Sequence, residues 1–426
     1  TSNPPPPPAD PTLRVDVPHF WSPDPKTERW HPAGSLLTRT EAETAFGQRS
    51  PWGDPTIFVA IASYRDWQCR YTVESIYGRA AYPERIRVGV VDQTAEGDDV
   101  CSTPIRPCEE DPNQALCKFS DRIDVAHIAA DLAIGPVFAR HVGHRLYRGE
   151  YFAMQVDAHV TFVQDWDVDL IGQWKATGNE MAVLSTYLTD VQGSIEETTG
   201  RSLRKTRPIM CNTDFEGGQN KYLRHKSQPE GMPGIHGSPQ LEPYWAAGFS
   251  FSRGHFVTNV KYDQHLPMIF QGEEISITVR GWTNGYDFYA FERSPCFHMY
   301  AVGANAEKRH KVKLFWENGS KYNHAERPAM RRLLGIIGMK PELKETEYDT
   351  QDMDIYGLGT HRTKEQFYQI IGIDVVHKVT EQHLCRFVDS GRMHNMFTPK
   401  MRKDGMGIDY EGVDFHFIDP QKRQHF

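Results

Sequence analysis

The sequence predicts an α/β protein with a mostly parallel, twisted sheet flanked by helices. Short apolar runs rich in β-branched residues alternate with segments in which apolar residues recur at helical spacing, as in strand–helix–strand units. Two of these runs also end on an aspartate, Asp92 and Asp157. Ligands of open α/β sheets sit at the carboxyl ends of the strands, so both aspartates are candidate site residues.

The first unit begins with residues 56–62 (TIFVAIA), a β-branched run typical of a buried strand. Apolar residues at helical spacing fill residues 71–77, and Pro83 ends that segment. Residues 86–91 (IRVGVV) predict the second strand. The two strands are therefore expected to be parallel, joined by a right-handed crossover.

The alternation continues beyond this unit. Residues 122–129 and 151–156 (YFAMQV) predict two more strands, and the helix between them is expected over 135–147, opening at Gly135-Pro136. Further strands are predicted over 245–252 and 287–291, and further helices over 272–282, 327–337 and 363–371.

Composition divides the chain into three parts. Residues 1–50 include the run Pro4 to Pro8 and predict an extended stem or linker. Residues 51–305 form the predicted main domain, in which the polar, Gly- and Pro-rich segment 190–240 reads as a long insertion or loop. Residues 306–426 predict a C-terminal helical extension and tail.

Composition also excludes several classes of function. A net charge of -8 disfavours nucleic-acid binding, and no apolar run reaches the ~20 residues of a membrane span. ATP and NAD are not expected as cofactors, because neither a Walker nor a dinucleotide-binding glycine pattern occurs. Cysteine–histidine catalysis is poorly supported, since Cys296 lies only two residues from His298.

The chain begins at Thr1, before the proline run. This start suits a Golgi enzyme whose membrane anchor would precede the stem, and an ordinary cytosolic protein is the alternative. A disulfide typical of an oxidising compartment is expected among Cys101, Cys108 and Cys117. We therefore predict the Golgi lumen, with membrane contact only through such an anchor.

Asp157-Ala158-His159 is the most informative short motif. In an extended segment, residues two apart project to the same side, so one carboxylate and one imidazole can bind the same ion. Mn²⁺ accepts such a mixed oxygen and nitrogen set, and it would offset the charge of a leaving diphosphate. Without further support, the same triplet is also explained by an aspartate that caps a helix and a histidine on the surface, with no metal site.

The motifs that follow Asp157-Ala158-His159 are residues 245–249 (WAAGF), 271–274 (QGEE) and 295–298 (PCFH). Their order resembles the catalytic half of retaining polypeptide N-acetylgalactosaminyltransferases. A closer resemblance is to the related hydroxyproline-directed N-acetylglucosaminyltransferases. It spans residues 56–375 and is carried by residues 57–66 (IFVAIASYRD), 83–90 (PERIRVGV), 135–140 (GPVFAR), 184–187 (LSTY) and 356–359 (YGLG), with Arg362.

This resemblance implies a GT-A-like nucleotide-sugar-binding fold, with residues 51–305 as the catalytic domain. It also implies a metal-dependent retaining glycosyltransferase. The expected donor is a UDP-sugar, the expected sugar is N-acetylglucosamine, and the acceptor is a hydroxyl group on a protein or a glycan.

The resemblance also implies roles for individual residues. Asp157, His159 and His298 are the expected metal ligands. Arg140 would contact the diphosphate, and Glu273 would hold hydroxyl groups of the donor sugar. Asp157, Arg140 and Glu273 are therefore the expected catalytic residues.

The remaining expected contacts are to the nucleotide-sugar. Three residues after the first strand would contact the uridine and its phosphates: Ser63, Tyr64 and Arg65. Asp92 would accept a hydrogen bond from the uracil ring, and Gly248 would let the backbone approach the sugar. Glu274 either contributes to this site or caps the helix that follows, because acidic residues are favoured in a first turn.

Two other functions remain open from the sequence. Asp165, Asp167 and Asp169 alternate after Gln164 and could supply paired acids to a hydrolase, although the pattern is also typical of a helix start. The chain could also be a non-catalytic module that binds nucleotides or carbohydrates.

Overall fold

The computed structural model describes residues 55–413, apart from 218–220, 302, 304–305, 308–310 and 312. The stem predicted over 1–50 and the end of the tail lie outside the described residues. The strands are, in chain order, β1 (Ile57–Tyr64), β2 (Ile86–Thr94), β3 (Ile123–Ala129), β4 (Phe152–Asp157), β5 (Val160–Phe162), β6 (Ala182–Ser185), β7 (Arg207–Pro208), β8 (Thr213–Glu216), β9 (Tyr222–His225), β10 (Glu230–Gly231), β11 (Gln240–Leu241), β12 (Phe249–Arg253), β13 (Asp287–Ala290), β14 (Cys296–His298), β15 (Ile373–Asp374) and β16 (Val379–Thr380).

The helices alternate with these strands through the first half of the chain and dominate the last quarter. They are α1 (Cys69–Gly78), α2 (Ala115–Lys118), α3 (Pro136–His144), α4 (Trp166–Ala176), α5 (His255–Asn259), α6 (Glu273–Thr283), α7 (Gly319–Ile336), α8 (Met353–Tyr356), α9 (Lys364–Ile371), α10 (Leu384–Asp389) and α11 (Arg392–Phe397). None of the described helices is long and apolar enough to cross a bilayer.

An eight-stranded sheet in the order β11-β13-β6-β12-β4-β1-β2-β3 forms the centre of the fold. The pairs β1–β2, β1–β4, β2–β3 and β6–β13 are parallel. Strand β12 runs antiparallel between β4 and β6, and β11 runs antiparallel to β13. The predicted fold class, α/β with a mostly parallel sheet flanked by helices, is confirmed.

The central strands lie where the apolar runs predicted them. Every residue of β2 except the last is buried, as expected of a strand covered on both faces. The strand predicted over 245–252 begins only at Phe249, however. The N–H groups of Trp245, Ala246 and Ala247 instead donate to side chains of Thr278, Ser185 and Glu274. This segment therefore has no ladder partner and passes over the carboxyl end of β4.

A second, two-stranded sheet lies next to the first. Strands β5 and β14 pair antiparallel, with His298 opposite Val160. Because β5 follows β4 after only two residues, this pairing brings the end of β14 to the carboxyl end of β4. It therefore joins two chain segments that are far apart in sequence.

The C-terminal segment belongs to the same hydrophobic core as the sheet. One continuous cluster of buried residues includes Ile57 of β1, Leu333 of α7 and Tyr410 near the end of the described chain. A Cys211–Cys385 disulfide also links the 190–240 segment, which contains the short strands β7–β10, to α10. Both segments thus pack against the main domain.

The disulfide predicted in the cysteine-rich loop is present as Cys108–Cys117. Cys101 pairs instead with Cys69 at the start of α1, and Cys296 is a free, buried cysteine. The Cys69–Cys101 bond attaches the loop after β2 to α1, beside the carboxyl end of the sheet.

Candidate active site

The expected metal ligands come from two neighbouring strand ends. Asp157 is the last residue of β4, and its N–H donates to the carbonyl of Gly248 at 3.1 Å. His159 lies in the turn between β4 and β5, and His298 ends β14. The Met299 N–H donates to the His159 carbonyl at 2.9 Å, so the two histidines are held side by side.

Ligand atoms of Asp157, His159 and His298 all lie within 4.8 Å of one another. The imidazole rings meet edge to face with centroids 4.4 Å apart, and Nε2 of His298 lies 3.6 Å from Oδ2 of Asp157. One carboxylate and two imidazoles suit a divalent transition metal such as Mn²⁺. The structure thus brings together the three residues predicted to bind the metal, and their chemistry fits such an ion.

Asp66 orients His159 and was not among the predicted site residues. Nδ1 of His159 lies 2.7 Å from Oδ2 of Asp66, whose side chain is buried. A carboxylate accepts, so this contact favours the tautomer with the proton on Nδ1, in which Nε2 is the nitrogen suited to bind a metal. The sequence does carry a signal, because Asp66 ends the run SYRD that spans the end of β1, directly after the three predicted nucleotide contacts Ser63, Tyr64 and Arg65.

We expect Asp66→Asn to weaken binding of Mn²⁺ by about 10- to 100-fold, the usual cost of losing a carboxylate behind a metal-bound histidine. Titration of the metal, followed by calorimetry or by the electron paramagnetic resonance signal of free Mn²⁺, measures this effect. Asp169→Asn, which changes a partly exposed ion pair on α4, is the matched control. Equal affinities in both variants would contradict the role of Asp66.

Arg140 joins two carboxylates of the site. Its Nη2 donates to Oδ1 of Asp157 at 2.9 Å, and its Nη1 donates to Oε1 of Glu273 at 2.6 Å. Glu273 also accepts from the Tyr262 hydroxyl at 2.8 Å, and it is almost completely buried. The three residues predicted to be catalytic are therefore in direct contact. The left-handed Gly272 (φ 96°) places Glu273 at the first position of α6.

Glu274 faces a different set of groups. Its carboxylate accepts from the Tyr187 hydroxyl at 2.5 Å and from the Ala247 N–H at 3.0 Å. Burial raises the pKa of Glu274 to about 7. The residue therefore holds the segment before Gly248 in place.

Gly248 lies directly against the Asp157 carboxylate. A Cβ atom at this position would lie only 3.0 Å from Oδ2 of Asp157, closer than nearly all real contacts of this kind. A side chain here would push the Asp157 carboxylate away by a few tenths of an ångström. Glycine at this position therefore keeps that carboxylate in place, whatever its role towards a sugar.

Ser63 and Asp92 lie opposite each other on β1 and β2. Asp92 is fully buried, and its Oδ2 accepts from the N–H of Cys101 at 2.8 Å. The Ser63 hydroxyl is the nearest donor to the Asp92 carboxylate and favours its charged form, but within the described chain Asp92 Oδ1 makes no hydrogen bond of good geometry. Burial raises the pKa of Asp92 above its ordinary value. A ligand N–H donor at this position would satisfy a buried acceptor.

Tyr64 and Arg65 follow at the end of β1 and contact Glu317. The Tyr64 hydroxyl donates to Glu317, and Arg65 donates to Glu317 at 3.0 Å and to Asp98 at 2.7 Å. Arg65 also has a left-handed backbone, with φ 50°. Both side chains therefore lie at the edge of the site and are held by the C-terminal extension.

The acids considered for a hydrolase do not converge in this way. Asp167 is fully buried and pairs with Arg85 at 2.6 Å, and Asp169 pairs with Arg293 at 2.6 Å. Asp165 precedes the first turn of α4, as the pattern of a helix start predicts, but its side chain makes no capping hydrogen bond. These aspartates stabilise α4 and its contacts.

Comparison with known proteins gives one family and several structures. The sequence model of the family described as Glycosyltransferase (GlcNAc) matches residues 56–111 and 102–377. No curated protein matches the chain. The crystal structure of GalNAc-T7 with UDP, GalNAc and Mn²⁺ has a TM-score of 0.44 and 13% identity, covering 80% of this chain and 57% of that one.

Two structures of S. aureus TarS are also similar at 12% identity, each with a TM-score of 0.35. The match to the first covers 75% of this chain and 56% of that one. The match to the second, TarS 1–349 in complex with UDP, covers 80% of this chain and 88% of that one. This chain therefore spans little more than half the length of the first two structures. Because the family model matches well over half of the sequence, the chain belongs to the Glycosyltransferase (GlcNAc) family.

Proposed function

We propose that this chain is a metal-dependent retaining glycosyltransferase that moves N-acetylglucosamine from UDP to a hydroxyl group of a protein or glycan. The observation that carries the proposal is the convergence of Asp157, His159 and His298 beside the Arg140–Glu273 pair. In a chain of this family, such a cluster at the carboxyl ends of parallel strands is suited to a nucleotide diphosphate.

The nucleotide is proposed to lie along the ends of β1 and β2. Oδ1 of Asp92 can accept the N3–H of a uracil ring, which would give this buried carboxylate a well-aligned donor. Ser63 lies opposite on β1, and Tyr64 and Arg65 border the same edge. The diphosphate would then extend towards Asp157 at the end of β4.

Asp157, His159 and His298 would hold Mn²⁺, which when bound acts as a Lewis acid on the diphosphate. The Arg140 guanidinium lies next to this cluster and is suited to phosphate oxygens. Glu273 positions Arg140 and presents a carboxylate to sugar hydroxyls. Gly248 lies at the same point and allows close approach of its backbone.

The proposed reaction exchanges one bond at the anomeric carbon. The bond from this carbon to the UDP oxygen breaks, a bond to the acceptor oxygen forms on the same face, and the acceptor proton passes to the leaving phosphate. Asp157 and Glu273 both accept hydrogen bonds from Arg140, which makes either carboxylate a weaker nucleophile and supports a path without a covalent carboxylate intermediate. Retention at the anomeric carbon is part of this proposal.

A panel of UDP-sugars tests the proposal without knowledge of the acceptor. We expect UDP-N-acetylglucosamine to be hydrolysed faster than UDP-N-acetylgalactosamine, UDP-glucose or UDP-galactose, and release of UDP to stop when Mn²⁺ is chelated. Product analysis by proton NMR gives the anomeric configuration. If the protein binds UDP but hydrolyses none of the UDP-sugars, the non-catalytic binding module is favoured. If it releases UDP from a donor without any metal, the proposed role of Mn²⁺ is wrong.

We also propose the hydroxyproline-directed group of the family and the Golgi lumen as the location. Three disulfides, Cys69–Cys101, Cys108–Cys117 and Cys211–Cys385, support an oxidising compartment, because cytosolic proteins rarely keep such bonds. Fluorescence microscopy of the tagged full-length protein tests the location.

A further inference from the structure

The Cys69–Cys101 disulfide lies between the two halves of the proposed donor site. Cys101 belongs to the loop that follows β2, and Cys69 is the first residue of α1. Both cysteines are buried, and the N–H of each donates to an aspartate of the site. This one covalent bond therefore connects Asp92, the expected uracil contact, with Asp66, which orients a metal ligand.

On the nucleotide side, Cys101 holds the carboxylate of Asp92. The Cys101 N–H donates to Oδ2 of Asp92 at 2.8 Å. Burial raises the pKa of Asp92, and this hydrogen bond acts in the opposite direction because it stabilises the charged form. A charged carboxylate can only accept a hydrogen bond. It therefore suits uracil, whose N3 carries a proton, and does not suit cytosine, whose N3 carries none.

On the metal side, Cys69 begins the helix that follows Asp66. The Cys69 N–H donates to the Asp66 carbonyl at 3.1 Å, and the Gln68 N–H donates to Oδ1 of Asp66 at 3.0 Å. Oδ2 of Asp66 contacts Nδ1 of His159 at 2.7 Å. The position of this turn at the start of α1 therefore sets the orientation of the histidine.

Helix α1 also contacts the residues on both sides of His159. The Thr72 hydroxyl donates to the carbonyl of Ala158 at 2.8 Å and accepts from the N–H of Val160 at 3.1 Å. Because His159 lies between these two residues, a shift of α1 would move its backbone as well as its partner Asp66. The metal ligand thus depends on where α1 is fixed.

Two ion pairs also join the loop after β2 to this part of the chain. Arg65 pairs with Asp98 at 2.7 Å, and Arg70 pairs with Asp99 at 3.5 Å. All four side chains are partly exposed, and ion pairs in contact with solvent contribute little to stability. The disulfide is a covalent bond between buried residues, so it constrains Cys101 more strongly than these pairs do.

We propose that the Cys69–Cys101 disulfide is a positioning element of the donor site, which fixes Asp92 for the uracil ring and α1 for the metal ligand His159. This inference rests on the proposed function, because it concerns the UDP and the Mn²⁺ of that reaction. Without the disulfide, the Cys101 N–H is no longer held against the Asp92 carboxylate. The bond therefore contributes to recognition of the base and not only to the stability of the fold.

The double variant Cys69→Ala/Cys101→Ala tests this assignment, since both alanines keep the backbone N–H groups. Calorimetry with saturating Mn²⁺ gives the Kd for UDP and for CDP, and a titration without nucleotide gives the Kd for Mn²⁺. We expect the affinity for UDP to fall about 10-fold, the effect of one hydrogen bond to a charged group, and the affinity for CDP to stay nearly unchanged. The affinity for Mn²⁺ should fall by less than the about 10- to 100-fold expected for Asp66→Asn.

Cys108→Ala/Cys117→Ala is the matched control, because it removes the other disulfide of the same loop. The Cys117 N–H donates to the nearby carbonyl of Gln114 at 3.1 Å, so its backbone contact is local. This control should bind UDP as tightly as the unaltered protein and keep its preference for UDP over CDP. Thermal unfolding identifies the temperatures at which every protein is folded, and binding is measured there. If the first variant does not fold, Cys69→Ala/Cys101→Val, which refills part of the lost volume, takes its place.

The outcomes separate this inference from the proposed function. If the variant without Cys69–Cys101 keeps the affinity for UDP and the preference over CDP, the positioning role is wrong and the proposed function stands. The same conclusion follows if the control loses affinity and preference to an equal extent, because the effect would then belong to the loop as a whole. If the unaltered protein does not bind UDP in the presence of Mn²⁺, the proposed function itself is wrong.

Discussion

Asp157→Ala is expected to remove Mn²⁺-dependent turnover while the protein stays folded. Asp157 supplies the only carboxylate of the cluster that it forms with His159 and His298 in the described chain, so its loss leaves only the two imidazoles as ligands. Because even an outer partner of a metal ligand contributes about 10- to 100-fold to affinity, loss of the ligand itself should weaken binding by more than that. Calorimetric titration with Mn²⁺ and assay of UDP release measure the two effects.

The fold should survive this change. Asp157 is partly exposed, and Arg140 keeps its ion pair with Glu273 when Asp157 is removed. Circular dichroism and thermal unfolding check this, with Asp404→Ala as a control in an exposed ion pair. Turnover by Asp157→Ala at the rate of that control would exclude the cluster as the site of reaction.

Arg140→Gln is expected to lower the free energy of unfolding by about 3–5 kcal/mol, the usual cost of removing one partner of a buried ion pair. The guanidinium is almost completely buried and neutralises Asp157 and Glu273 together. Without it, two carboxylates face each other with no protein cation between them. Urea unfolding at neutral pH measures the loss.

Addition of Mn²⁺ should restore part of that stability, because a cation at Asp157 replaces some of the missing positive charge. The increase in melting temperature on adding Mn²⁺ should then be larger in Arg140→Gln than in the unaltered protein. Arg140→Lys, which keeps the charge but not the two-sided donor geometry, is the matched control and should lose less stability. An unfolding free energy unchanged in Arg140→Gln would show that the two carboxylates do not depend on this residue.

Strand positions were predictable where burial leaves a local pattern. Strands β1, β2 and β4 lie within two or three residues of the runs that predicted them, because strands buried on both faces need continuous apolar residues. Residues 245–247 have a similar apolar composition, yet side chains of two other elements, α6 and β6, accept from their N–H groups. No local pattern distinguishes these two cases.

Only some of the proposed metal ligands could be predicted from a local sequence pattern. Asp157 and His159 are two residues apart, and their spacing alone indicates a shared ligand. His298 was assigned only through the resemblance of its motif, since its position depends on the pairing of β14 with β5. Asp66 reaches His159 across 93 residues of sequence, and a hydrogen bond of that kind leaves no periodicity to detect.

By itself, the sequence determined the strands that are buried on both faces, such as β1, β2 and β4, and the types of residue available at their ends, because these follow from local apolar spacing and side-chain chemistry. Only the tertiary structure decided which of those residues meet. Arg140 and Glu273 are 133 residues apart and become partners because α3 and α6 pack at the same end of the sheet. The same packing buries them together, and this burial makes their ion pair a property of the folded chain.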